Sequence, residues 1–297
     1  MLRAAGRQVG LGQLGRDQAM TAPKTVLVPL DGSIEATAAI PVARGFAELL
    51  HATVAVLHVS DDAFAPAALV ERMRLPNVHG LVVERRPGAA AAVIAQEAAE
   101  RVAAMIVMCP QIRTDLRSRA LGSVAEAVLR RARCPIVLVP SARGHKHWTL
   151  RRVLVPHDGT PTSAAAMGPA SDFASMAAAE LVVLHVATPR IERPTEPGTL
   201  VSPQYVDQPH HEWPAWEREF LDRLRAVGGA KDGIEMRLAV AQGDPGPAIV
   251  DFARNSDLIV LGWRGALEPD RARTMRCVIR DTMCPVIVFR LDREDHR

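Results

Sequence analysis

The chain carries the same short motifs twice, in the same order. VLVPLDGS at Val26–Ser33 returns as VLVPHDGT at Val153–Thr160, and VLHV at Val56–Val59 returns at Val183–Val186. Further on, CPIVLVP at Cys134–Pro140 returns as CPVIVFR at Cys284–Arg290. The first two pairs share one offset and the third has a larger one. Duplication followed by loop insertion produces that pattern, and chance does not. A chain of 297 residues has room for two domains, each with its own core. They are expected over 21–143 and 150–291, with the polar stretch 141–150 (SARGHKHWTL) as the linker.

Within each copy, short apolar runs alternate with longer helical patterns, the signature of βαβ units and a parallel sheet. Strands are expected near 25–30, 53–59, 80–85, 104–109 and 135–140, and again near 152–156, 181–186, 234–240, 257–262 and 285–290. Helices in the first copy should fill 33–50, 63–74, 89–103 and 121–133. Runs such as VLVPL and IVLVP are continuous rather than alternating, as in strands covered on both faces. Right-handed crossovers then give two doubly wound, five-stranded α/β sheets of the flavodoxin-like kind. The copies differ most between their second and third strands. There the second copy gains a proline-rich insertion, about 188–212, which cannot continue a helix or a central strand. It leads into a helical stripe of Trp213, Trp216, Phe220, Leu221 and Leu224, expected to pack on the sheet.

Composition excludes several classes of function. A net charge of +3 is too small to argue for nucleic acid or a membrane surface. No run approaches the roughly 18 apolar residues of a membrane span. Residues 1–20 lack a secretory apolar region and read either as a disordered tail or as an overcalled start with Met20 as initiator. The cysteines (Cys109, Cys134, Cys277, Cys284) form no C-x-x-C pair, so a reducing compartment, the cytoplasm, is expected. His210, His211 and Glu212 stand together without ligand spacing, and His58 and His185, ending equivalent strands, read as structural. No G-x-S-x-G, P-loop or H-E-x-x-H motif is present, so neither a catalytic residue nor a metal site is expected.

V-P-L-D-G-S after the first strand, L-H-V ending the second, and L-G-S-V-A-E-A-V-L-R-R-A-R-C-P-I-V-L-V through the fifth resemble a universal stress protein domain. The second copy adds G-D-P-G-P-A-I at Gly243–Ile249 and S-D-L-I-V-L-G-W-R-G at Ser256–Gly265. The resemblance runs from Lys24 to Arg290. It implies a strand order of 3-2-1-4-5, as in adenine nucleotide hydrolase-like folds, and pairing through the fifth strands. Here Pro135–Pro140 and Pro285–Arg290 are expected to pair within the chain as a pseudo-dimer. A further homo-oligomer and an unidentified protein partner stay open.

In one branch of that family the resemblance further implies ATP, held by an Asp after the first strand and by a G-x-x-G motif followed, after a short stretch, by G-S or G-T. Glycine backbone N–H groups wrap phosphate, and the next helix N-terminus adds its dipole. Both copies keep the acid, as Asp31 and Asp158, each with a second reading as a cap for the following helix. In the first copy Cys109 and Ile112 replace the two glycines and Pro110 removes a donor, while Gly122 and Ser123 stand intact. In the second, Gly262 and Gly265 are present with Trp263 and Arg264 between them, but Ala272 and Arg273 fall where Gly122 and Ser123 do. The candidate nucleotide-binding residues are therefore Asp158, Gly262, Arg264, Gly265 and Arg273, with Arg264 and Arg273 offering charge to phosphate. Asp31, Gly122 and Ser123 form a degenerate set. The expected function is a non-catalytic stress-response module with weak or absent ATP binding. The alternative is a nucleotide-binding protein with slow ATPase activity.

Overall fold

A computed structural model of the chain describes residues 24–62, 66–73, 81–111, 121–141, 147–187, 213–231, 233–263 and 269–290. The insertion at 188–212 and the segment 1–20 lie outside the described residues. The first half contains β1 (Lys24–Leu30), α1 (Ala39–Leu50), β2 (Ala52–Val59), α2 (Pro66–Arg72), β3 (Leu81–Arg86), α3 (Ala90–Glu100), β4 (Met105–Met108), α4 (Ser123–Arg131) and β5 (Ile136–Leu138). The second half contains β6 (Arg152–His157), α5 (Pro161–Ala164), α6 (Met167–Ala177), β7 (Glu180–Ala187), α7 (Trp213–Gly228), β8 (Met236–Gln242), α8 (Pro245–Phe252), β9 (Leu258–Trp263), α9 (Pro269–Asp281) and β10 (Val286–Arg290).

All ten strands join one sheet in the order β3-β2-β1-β4-β5-β10-β9-β6-β7-β8. Each half thus has the order 3-2-1-4-5, with parallel pairing throughout. The halves meet where β5 and β10 run antiparallel, with Val137 opposite Ile287. This is the intramolecular pairing expected of the fifth strands. At one end of the seam Arg290 donates to the carbonyl of Arg130 on α4 at 2.8 Å.

Alternation along each strand feeds two separate cores. Val26, Val28, Val137, Val153, Val155 and Ile287 point to one face, where α1, α6 and α7 bury Phe46, Phe173, Phe220 and Leu224. Leu27, Ile136, Leu138, Leu154, Val286 and Val288 point to the other, under α3, α4, α8 and α9. Phe220, Leu221 and Leu224 pack as the stripe predicts, while the side chains of Trp213 and Trp216 lie outside the described residues.

Two local expectations change. The single helix expected at 33–50 begins as a 3-10 turn at Glu35–Ala38, because the Ser33 hydroxyl accepts the Ala36 N–H at 3.2 Å and tightens the first turn. The stretch 141–150 is less of a polar linker than its composition suggests, since Trp148 and Leu150 are core residues. Trp148 lies on Phe46 with ring centroids 4.7 Å apart, and Phe46 in turn meets Phe173 edge-on at 5.3 Å. An aromatic column therefore crosses from one half to the other above the seam.

Candidate functional site

In each half the first strand is bonded to the second along its length but to the fourth over two residues only. The pairs are Val26–Met105 and Leu27–Ile106 in the first half, and Val153–Leu258 and Leu154–Ile259 in the second. Beyond those pairs the strands diverge, opening a crevice at the carboxyl ends where the strand order switches. Asp31 and Asp158 emerge beside these crevices, one residue past the ends of β1 and β6.

Both acids sit in the same turn. Gly32 and Gly159 take φ of +91° and +84°, which L side chains rarely adopt, so the glycine after each Asp is a backbone requirement. The Asp31 carboxylate accepts the Ser33 N–H at 2.9 Å and the Ser33 hydroxyl at 2.6 Å. Asp158 likewise accepts from the Thr160 N–H at 3.0 Å and the Thr160 hydroxyl at 2.6 Å, and from the Ser163 hydroxyl at 2.7 Å. The cap of α5 is Thr160 rather than Asp158, since its side chain accepts the Ser163 N–H. Behind each turn stands a buried histidine. His58 Nδ1 is 2.7 Å from the carbonyl of Leu30, and His185 Nδ1 is 3.0 Å from that of His157. Each ring anchors the carbonyl just ahead of the acid, a structural role.

The crevices then differ. In the first half Gln111 donates its side-chain amide to Asp31 at 2.5 Å. Burial pushes the Asp31 carboxyl up, but the Ser33 hydroxyl and N–H and the Gln111 amide outweigh it and hold the group below its usual range. A Cβ on Gly122 would meet the Gln111 carbonyl oxygen at 2.7 Å, so Gly122 leaves room for Gln111 itself. Gly122 caps α4 and Ser123 begins it, exposed. Cys109 is half-buried, and its thiol is pushed up to about 11 by burial and by the nearby charges of Asp31 and Glu35, which makes it a poor nucleophile. In the first half Gln111 thus holds the Asp31 carboxylate with its side chain while its backbone lies against Gly122. Gln111 lies between the lost glycine positions, and only that loss hinted at its role.

In the second half Gly262 sits in β9 opposite Phe289, and Arg273 is exposed on α9. Arg264 and Gly265 lie outside the described residues, as does Ile112 in the first half. His157 replaces Leu30 of the first half. Its Nδ1 accepts the Gly159 N–H at 2.8 Å, bracing the turn that carries Asp158. His157 and His185 both face the edge of Phe220, with centroids 5.5 and 5.7 Å away. Burial drives the His157 pKa down to about 4; Asp158 opposes this and His185 adds to it. Among the described residues no cluster of three or more His, Cys, Asp or Glu could hold a metal ion. No helix there is long and apolar enough to cross a membrane.

Two doubly wound halves fused through their fifth strands, each with an acid-bearing turn at the switch point, define a tandem α/β protein with one continuous ten-stranded sheet across the described residues. The chain belongs to the universal stress protein family, whose model matches residues 71–140 and 149–290. Two universal stress proteins of Mycobacterium tuberculosis are each 28% identical to it. One aligns over 65% of this chain and 61% of its own length, the other over 70% and 66%. The chain thus spans somewhat under two thirds of these relatives. Among solved structures, a universal stress protein from Archaeoglobus fulgidus superposes with a TM-score of 0.60 at 20% identity, covering 90% of this chain and 98% of its own. A functionally unknown protein from Pseudomonas aeruginosa gives 0.62 at 19% identity, covering 91% and 93%. At such identities the likeness is one of fold.

Proposed function

We propose that the chain is a stress-response module without turnover, in which the first half has given up nucleotide binding and the second retains a weak site for an adenine nucleotide. One observation carries this reading: Gln111 donates to Asp31 and sets its backbone against Gly122, so a ribose or phosphate entering the first crevice would have to displace it. The second half keeps Asp158 on a braced turn, and Gly262 and Gly265 at the G-x-x-G positions. Arg264 and Arg273 there supply charge in place of lost backbone donors. An Arg does not reproduce a glycine nest, hence the weakness. The four cysteines, all thiols, fit the cytoplasm.

Calorimetry with ATP and ADP on the full chain tests the reading, beside phosphate release from ATP. Expected is weak binding at one site, lost in Asp158→Ala and Gly265→Val and untouched by Asp31→Ala, with no phosphate release above background. Binding that vanishes in Asp31→Ala but survives the other two would place the site in the wrong half. Steady turnover that tracks the purified protein would make it an ATPase.

A further inference from the structure

On the face of the sheet carrying α4 and α9, a cavity of about 220 Å³ opens between the halves. Leu121 and Leu129 line it from one side, and Trp263, Met275 and Ile279 from the other. When the two Cys-Pro pairs are aligned, Leu129 corresponds to Ile279 and Glu126 to Arg276, so the cavity sits near the axis relating the halves. Two exchanges make it one-sided. Arg276 stands where the first half has Glu126 and, with β9 aligned on β4, Trp263 stands where it has Pro110.

Both exchanges leave a polar group unanswered. Trp263 is buried, and its indole N–H has no acceptor among the described residues. Buried donors are nearly always paired in native proteins, and an unmade bond of this kind points to a missing partner. Glu126 engages Arg130 at 3.3 Å, which leaves Arg276, also lining the cavity, with no ion pair or hydrogen bond among the described residues. The walls are apolar and aromatic, and the cations outnumber the single carboxylate. An engineered dry cavity of about 150 Å³ holds benzene. The present one has room for such a ring with a short acidic substituent.

We propose that this interdomain cavity binds a compact aromatic monocarboxylate, its ring between Leu129 and Trp263 and its carboxylate toward Arg276. The site is separate from the crevices at Asp31 and Asp158, since it lies between the halves and uses neither acid. Ligand bound there contacts both halves and so stabilises their docking by mass action.

The test uses the full chain with benzoate as probe and toluene as its neutral counterpart, in calorimetry and thermal melting. Expected is one benzoate per chain with a dissociation constant on the order of 1 mM or tighter, a rise in melting temperature, and weaker binding of toluene. Arg276→Ala, at an exposed position, should weaken benzoate at least tenfold and leave toluene unchanged. Met275→Trp, which fills the cavity, should abolish both; if that variant fails to fold, Arg276→Ala decides alone. Saturating ATP should leave benzoate binding as it was. No saturable benzoate binding, binding indifferent to Arg276→Ala, or competition by ATP would each overturn the proposal.

Discussion

The indole of Trp148 lies so close to Gly45 that a Cβ placed there would come within 2.5 Å of its ring. The ring has nowhere to retreat. It rests on Phe46, and its N–H donates to the carbonyl of Asp257, just ahead of β9, at 3.1 Å. A tryptophan from the connecting segment thus rivets α1 of the first half to the second half.

Gly45→Ala should therefore destabilise the protein even though alanine favours a helix by roughly 1 kcal/mol over glycine. Overpacking costs about 1–3 kcal/mol, leaving a net loss of up to about 2 kcal/mol. Trp148→Ala should cost about 3–5 kcal/mol and broaden or split the urea transition as the halves uncouple. Unchanged midpoints for both variants would mean that the halves dock without this rivet.

Ile287→Pro strikes the seam itself. Ile287 is fully buried opposite Val137, and proline there removes a ladder donor from what has become a central strand. Small-angle scattering of the variant should show an extended, two-bodied particle in place of the parent's shape. A particle of unaltered dimensions would refute the dependence on β5–β10 pairing.

Much of this architecture is written in the repeat. Strand positions came within two residues of the observed ones because runs such as VLVPL are buried on both faces, and little else folds that way. Pairing of the fifth strands followed from the strand order that the resemblance implies, which leaves β5 and β10 as edges, whereas its antiparallel sense emerged only in the structure. Trp148 was invisible because its neighbours are polar and its partners lie in other segments. Gln111 was hidden for a related reason: its hydrogen bond to Asp31 spans a long stretch of chain, and no local spacing encodes it. Arg264 and Gly265 remain expectations, lying outside the described residues.

Acid should weaken the second half through His157. Its unfolded pKa is about 6.5, against about 4 in the fold, so the unfolded chain binds the extra proton between those values. Stability is then fully present above pH ~6.5 and declines as pH falls toward ~4, by up to about 3 kcal/mol. His185, whose pKa burial also lowers, works in the same direction. His157→Leu, which copies the residue of the first half, should flatten the profile of urea midpoint against pH. An equally steep profile in that variant would assign the acid sensitivity elsewhere.

Gln111→Ala should release Asp31. With one of its donors gone, the carboxyl should titrate at higher pH than in the parent, as carbon-detected NMR would report. If the amide is also what bars the crevice, the variant should acquire ATP affinity that Asp31→Ala removes. A parent-like Asp31 titration would show that Ser33 alone sets its charge.

Fusion at the β5–β10 seam has an evolutionary side. In a homodimer of identical subunits every substitution appears twice, so one crevice cannot decay or specialise without the other following. A single chain carrying both halves lifts that rule. Mutations could then fall on one side of the axis at a time, and the outcome is visible in Gln111 facing Asp31 on one side and His157 bracing Asp158 on the other.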